Sequence, residues 1–343
     1  MGFARDLANG QSQKSVEWPT WLAILGCYGL WCTLTVAAGT LLPIWMALAA
    51  LAILAAFHAS LQHEALHGHP TRNASVNEGL VFFSLGLFLP YRRVKTLHLR
   101  HHCDERLTDP YDDPESFYRA ERDWAQTSAF LRLVLQINNT LLGRVIFGPA
   151  LALHAFLKGE VQLLKAGNRQ VALAWGLHLA SVACVCAWLA FMTALPLWLY
   201  LLAVAYPAFS LLMIRTFAEH RAHETVGGRT VVVEKGGPFA LLFLNNNLHI
   251  VHHMHPRAPW YRLPALYRAD RNRYLEENSA YVFESYGAIL RAHLVTRKEP
   301  VVHPLVRRSA MPPDLVAGAG AAPLRGDGGP LPAVAPAHRS PTD

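Results

Sequence analysis

Eight of the 18 histidines fall in three tight groups: His63 and His67 in HEALH, His98, His101 and His102 in HLRHH, and His249, His252 and His253 in HIVHH. On a helix, residues three and four apart share a face, so each group can aim two or three imidazoles at one point. Imidazole binds iron, copper, nickel and zinc. HEALH alone fits H-E-x-x-H, in which two histidines hold Zn²⁺ and the glutamate is the general base of a protease. Eight imidazoles exceed the four or fewer protein ligands that one zinc takes. Two metal ions with histidine-rich shells is the natural count.

The elements that position these groups are apolar. Trp21–Gln62 and Val171–Ile214 contain no Asp, Glu, Lys or Arg. Each stretch is long enough as helix for about two crossings of a ~30 Å hydrocarbon layer, with Pro43 or Pro196 near its middle. Together with a charged fraction of 16%, against about 25% for a soluble domain, this predicts an integral membrane protein. The expected fold is all-α: four transmembrane helices in two hairpins, at 21–42, 44–62, 171–194 and 197–214. A cytoplasmic helical cap holds the histidine-rich di-metal site. The segments read as a cytoplasmic stretch over 1–20, a membrane domain over 21–308 and a disordered Ala/Pro/Gly-rich tail over 309–343. Val76–Pro90 is apolar but too short to span and reads as an interfacial helix. Ala129–Leu157 is amphipathic and expected to lie against the bilayer.

Of the 31 Lys and Arg, 2 precede Trp21, 13 lie between Gln62 and Val171, and 16 follow Ile214. The positive-inside rule places those three segments, and all three histidine groups, in the cytoplasm. The net charge of +7 then needs no nucleic acid, because basic residues beside a membrane meet anionic lipid. The N-terminus lacks the pattern of a cleavable signal peptide. The five Cys include no CxxC pair, which argues against a cysteine-based zinc site.

The combination HxxxH, HxxHH, HxxHH resembles the membrane fatty-acid desaturase and hydroxylase superfamily over roughly His63–Leu263, and the third group lies in NNNLHIVHHMHPRAPWYRLP as that family's third box does. The resemblance implies two iron ions and O₂ as co-substrate. It implies oxidation of unactivated C–H bonds in a lipid, first of all fatty acyl desaturation. Hydroxylation, ketolation and alkene-forming oxidative decarboxylation share the same boxes. It also implies a further ligand upstream of the third box, for which His220 in RTFAEHRAHE is preferred over His223. No HPGG haem segment, dinucleotide fingerprint or iron–sulfur cysteine cluster is visible. Electrons are therefore expected from a separate ferredoxin, rubredoxin or reductase, and the setting expected is a bacterial inner membrane.

Other readings are weaker. An intramembrane zinc protease leaves HLRHH and HIVHH unexplained, and a metal transporter would place its histidines inside the spans. Glu64 is expected to support the ligands from behind. The acids of Cys103–Ser116 could orient imidazoles or simply shape turns. His58 points away from His63 but could line a substrate path. His69 and His255 read as plain loop residues. His154, His178, His293, His303 and His338 have no motif.

Overall fold

The computed structural model describes residues 16–306; the proposed tail over 309–343 and most of the N-terminal segment lie outside them. Five helices are long and apolar enough to cross a membrane: α1 (Trp18–Ala37), α2 (Ile44–Leu66), α6 (Leu141–Lys165), α7 (Arg169–Met192) and α8 (Leu197–Glu219). Between α2 and α6 come the shorter α3 (Ala74–Leu80), α4 (Tyr91–His101) and α5 (Ala129–Asn138). After α8 come strand β1 (Val232–Lys235), α9 (His249–Met254), α10 (Leu263–Ala269), α11 (Arg271–Glu277), strand β2 (Val282–Ser285) and α12 (Tyr286–His293). The strands pair in parallel, Val232 opposite Val282, a small exception to an otherwise helical chain.

α1 and α2 form the first expected hairpin, turning at Gly39 (φ 75°) before Pro43. α7 and α8 form the second, turning before Pro196. Large apolar side chains such as Leu22, Trp45, Leu179, Phe191 and Trp198 are exposed along these helices, the surface of a protein solvated by lipid. The helices are joined by buried polar contacts. Trp31 Nε1 donates to Tyr200 Oη at 2.9 Å and Trp188 Nε1 to Thr35 Oγ1 at 3.0 Å.

One expectation is corrected. Val76–Pro90 is not one interfacial helix: helix ends at Leu80 and the chain runs on irregularly through Val81, Ser84 and Leu85, all buried. Irregular backbone is tolerated at membrane depth only where protein groups satisfy it, and here they do. Ser181 Oγ donates to Phe82 O (2.7 Å) and accepts from Ser84 N (2.8 Å), Tyr200 Oη donates to Leu85 O (2.9 Å), and His178 Nε2 lies 3.0 Å from Leu87 O. Ala129–Leu157 is covered by α5 and the first part of α6. Thr140 caps α6 by accepting from Gly143 N, and a Cβ at Gly143 would strike Ile137 O at 1.9 Å, so glycine permits the sharp corner from α5 to α6.

Candidate metal centre

The histidine groups sit at the ends of elements that converge. His63 and His67 finish α2, where Gly68, at φ 99°, stops the helix. His98 and His101 occupy the last turn of α4 and His102 caps it. His220 is the first residue past α8, and His249, His252 and His253 share the short α9.

Two sets of ligand atoms result, each set within 4.8 Å: His63, His67, His98 and His252, and His101, His220, His249 and His253. His102 adjoins the first, its Nε2 3.0 Å from that of His98 and 3.1 Å from that of His252. Its ring also stacks on that of His253 at 4.3 Å, so the two sets abut. All nine sequence-derived candidates are thus brought together, and His220 is the choice the geometry favours. His223 instead contacts the Thr225 hydroxyl and is half-buried.

The far nitrogens fix which atoms face inward. His98 Nδ1 meets Glu115 Oε1 and His101 Nδ1 meets Asp113 Oδ1, both at 2.8 Å. His249 Nδ1 meets Asn246 Oδ1 at 3.1 Å, and His220 Nδ1 lies 3.3 Å from Arg229 O. A ring whose Nδ1–H donates to an acceptor presents a bare lone pair at Nε2. His98 Nε2 then has the Nε2 atoms of His63, His67 and His102 at 3.0, 3.1 and 3.0 Å, more than one proton could serve. Nitrogens converging in this way could hold a cation between them.

The spacing is informative too. Two nitrogens each about 2.1 Å from one metal lie about 3.0 Å apart at a right angle and about 3.4 Å apart at the tetrahedral angle. In the second set, His101–His220 is 3.0 Å, His220–His249 2.9 Å and His249–His253 3.2 Å. Separations of this size are what imidazoles sharing one metal ion would show.

Electrostatics agree. Burial, followed by the neighbouring imidazoles, holds His102, His249 and His252 far below the usual histidine range, so these rings stay neutral and available as ligands. Burial would lower His101 as well, but Glu115 and Asp113 outweigh it and push this histidine up to about 9. A metal cation satisfies the same carboxylates that a proton would. Burial would raise Glu115; His101 and His98 reverse that and hold it well below the usual carboxylate range.

Some supporting residues differ from expectation. Glu64 touches no ligand imidazole; its Oε1 accepts from Trp260 N at 2.9 Å. His69 is not a plain loop residue. It is buried with Nδ1 3.0 Å from Glu17 and Nε2 4.0 Å from Glu64. His255 contacts Tyr274 Oη instead of the centre. Asn246 was not singled out, although the run NNN before the third group was a visible signal. Asn246 Nδ2 also donates to Glu219 Oε1 at 2.8 Å.

A cavity of about 630 Å³ adjoins the histidines, with His63, His98, Glu219 and His220 in its wall. Small residues on three helices leave the space: Ala55 and Ala59 on α2, Gly148, Ala152, Ala155 and Gly159 on α6, and Ala205 and Ala208 on α8. His58 is in the wall as well, held by Tyr28 Oη at 2.9 Å.

Against known families, residues 39–285 match the fatty acid desaturase model. The chain belongs to the fatty acid desaturase family. Family members are membrane oxidoreductases, and this chain is an enzyme of that kind. No curated protein matches it. Membership accounts for the coexistence of span-length apolar helices, a histidine cluster that could hold metal and an adjoining cavity.

Proposed function

We propose that this desaturase-family enzyme binds two iron ions and oxidises an acyl chain held in the cavity, with desaturation as the reaction. The observation that carries this reading is the convergence of nine imidazoles in two abutting sets beside an apolar-walled cavity. His63, His67, His98, His102 and His252 would hold one iron, and His101, His220, His249 and His253 the other. Bound iron would supply O₂ activation. The protein's own part is to keep imidazoles neutral and oriented, to hold them through Asp113, Glu115 and Asn246, and to seat the chain away from water. Removing two hydrogens while O₂ becomes two waters requires two electrons and two protons from outside. Exposed Arg257, Arg268 and Arg273 beyond the third histidine group suit docking of an acidic ferredoxin or rubredoxin.

Four of the five span-length helices, α1, α2, α7 and α8, would cross the membrane. The second histidine group and His220 meet, so the chain between them must cross an even number of times, yet α6, α7 and α8 all lie there. α6 is the one whose two ends are tied back toward the site. Arg144 stacks on Phe117 and Phe217, and Glu160 pairs with Arg93 of α4 at 2.8 Å. The basic-residue distribution puts the site on the cytoplasmic face, with a bacterial inner membrane as the setting.

Against the zinc-protease reading, Glu64 is engaged by Trp260 N and lies beside His69, which is not among the nine converging histidines. The test is the lipid profile, by mass spectrometry, of bacteria expressing this chain or His101→Ala. Lipids lacking two hydrogens only with the wild type establish desaturation. Lipids with added oxygen make it a hydroxylase or ketolase, a shortened terminal alkene makes it a decarboxylase, and full activity in His101→Ala contradicts the metal assignment.

A further inference from the structure

Three buried or nearly buried arginines line the cavity, and two are neutralised. Arg93 makes a two-pronged contact with Glu160 at 2.8–3.0 Å, and Arg215 pairs with Glu219 at 3.0 Å. Arg144 is different. It is 6% exposed, and among the described residues no acid pairs with it. Its Nε donates to Asn138 O at 3.1 Å, and its guanidinium faces the rings of Phe117 (4.9 Å) and Phe217 (5.9 Å). Aromatic faces attract a cation but do not neutralise it. A buried charge without a counter-charge is costly enough that proteins ordinarily supply one.

The neighbouring amine is no counter-charge either: Lys298 Nζ lies over the same two rings at 5.5 and 5.4 Å and donates to His220 O and Tyr281 Oη. The acid beside it in sequence, Glu299, is engaged by Tyr118 Oη at 2.8 Å. Asn138 also lines the cavity, and its Oδ1 is buried with no partner. Turning that amide over places its NH₂ group there instead, an assignment that hydrogen-bonding partners decide. With an anion in front of Arg144, the turned amide becomes a second donor.

We propose that Arg144 anchors the ionised head of the acyl substrate, so that an acidic lipid enters the cavity head included. The substrate class is then an acyl chain ending in a carboxylate or phosphate. A neutral acyl ester, whose head would stay at the membrane surface, is disfavoured. The guanidinium fork matches either anion with two parallel hydrogen bonds. This inference rests on the reading of the cavity as an acyl-chain site.

The test is equilibrium binding of radiolabelled hexadecanoate, methyl hexadecanoate and hexadecyl phosphate to the purified full-length protein in detergent. The expected result is at least about tenfold tighter binding of hexadecanoate than of its methyl ester. Arg144→Gln should lose that preference while binding the ester unchanged, and Arg144→Lys should keep part of it. Hexadecyl phosphate bound more tightly than hexadecanoate keeps the anchor and assigns the head to phosphate. Equal affinity of the wild type for acid and ester overturns the proposal, and this comparison needs no variant to fold. Because no turnover is involved, a failed iron assignment would appear as absent metal with the binding preference intact. Failure of the acyl-chain reading would appear as no binding of any of the three probes.

Discussion

Asp113 and Glu115 each hold a ligand imidazole by its Nδ1 at 2.8 Å, and their effect should be measurable apart from the fold. Such outer partners typically contribute 10–100-fold to metal affinity. Asp113→Asn and Glu115→Gln should therefore lower iron retention against a chelator of fixed strength by about that factor, with helical content unchanged. Unchanged retention would mean that these acids only shape the turn. The sequence leaves them ambiguous because Asp-Pro steps serve turns equally well; Asp113 does both, since its Oδ1 also accepts from Glu115 N. The histidines are legible because the metal demands a residue type and the helix demands a spacing, and both are written in the chain. Arg144 gives no such signal. It is one of 31 basic residues, and only the fold shows that it lacks the acid that Arg93 and Arg215 have.

At the scale of elements, the charge-free stretches reveal two hairpins, but α6 escapes that criterion because Arg144, Lys158 and Glu160 interrupt it. Arg144 and Glu160 are also what ties α6 to α4 and to the site. Its small residues face the cavity, so filling that space should change what fits. Ala152→Phe is expected to reduce binding of the longest acyl chains at least tenfold while leaving iron content unchanged, measured across a chain-length series. The irregular segment after Leu80 is illegible from hydropathy, since its backbone is satisfied by residues about a hundred positions away. Ser181→Ala removes the partner of both Phe82 O and Ser84 N. It should cost about 1–3 kcal/mol, seen as a lowered midpoint of thermal unfolding in detergent.

Across the whole molecule, membrane crossing and site assembly constrain each other. Histidines from α2, α4, α8 and α9 meet, so with four crossing helices, as proposed, the turns at Thr40 and Ala194 would lie on the opposite side of the membrane. Single cysteines placed there in a cysteine-free chain should react with a membrane-impermeant reagent from the face opposite to one placed at Arg257. Labelling of all three from one face would contradict the arrangement of four crossing helices. Nine imidazoles are proposed to hold two irons. The most direct measurement is metal content per chain of the purified protein by mass spectrometry, for the wild type and for His98→Ala and His220→Ala, one from each set. About two irons are expected in the wild type, with a marked loss of iron in both variants. One zinc per chain, or iron undiminished in the variants, would contradict this assignment.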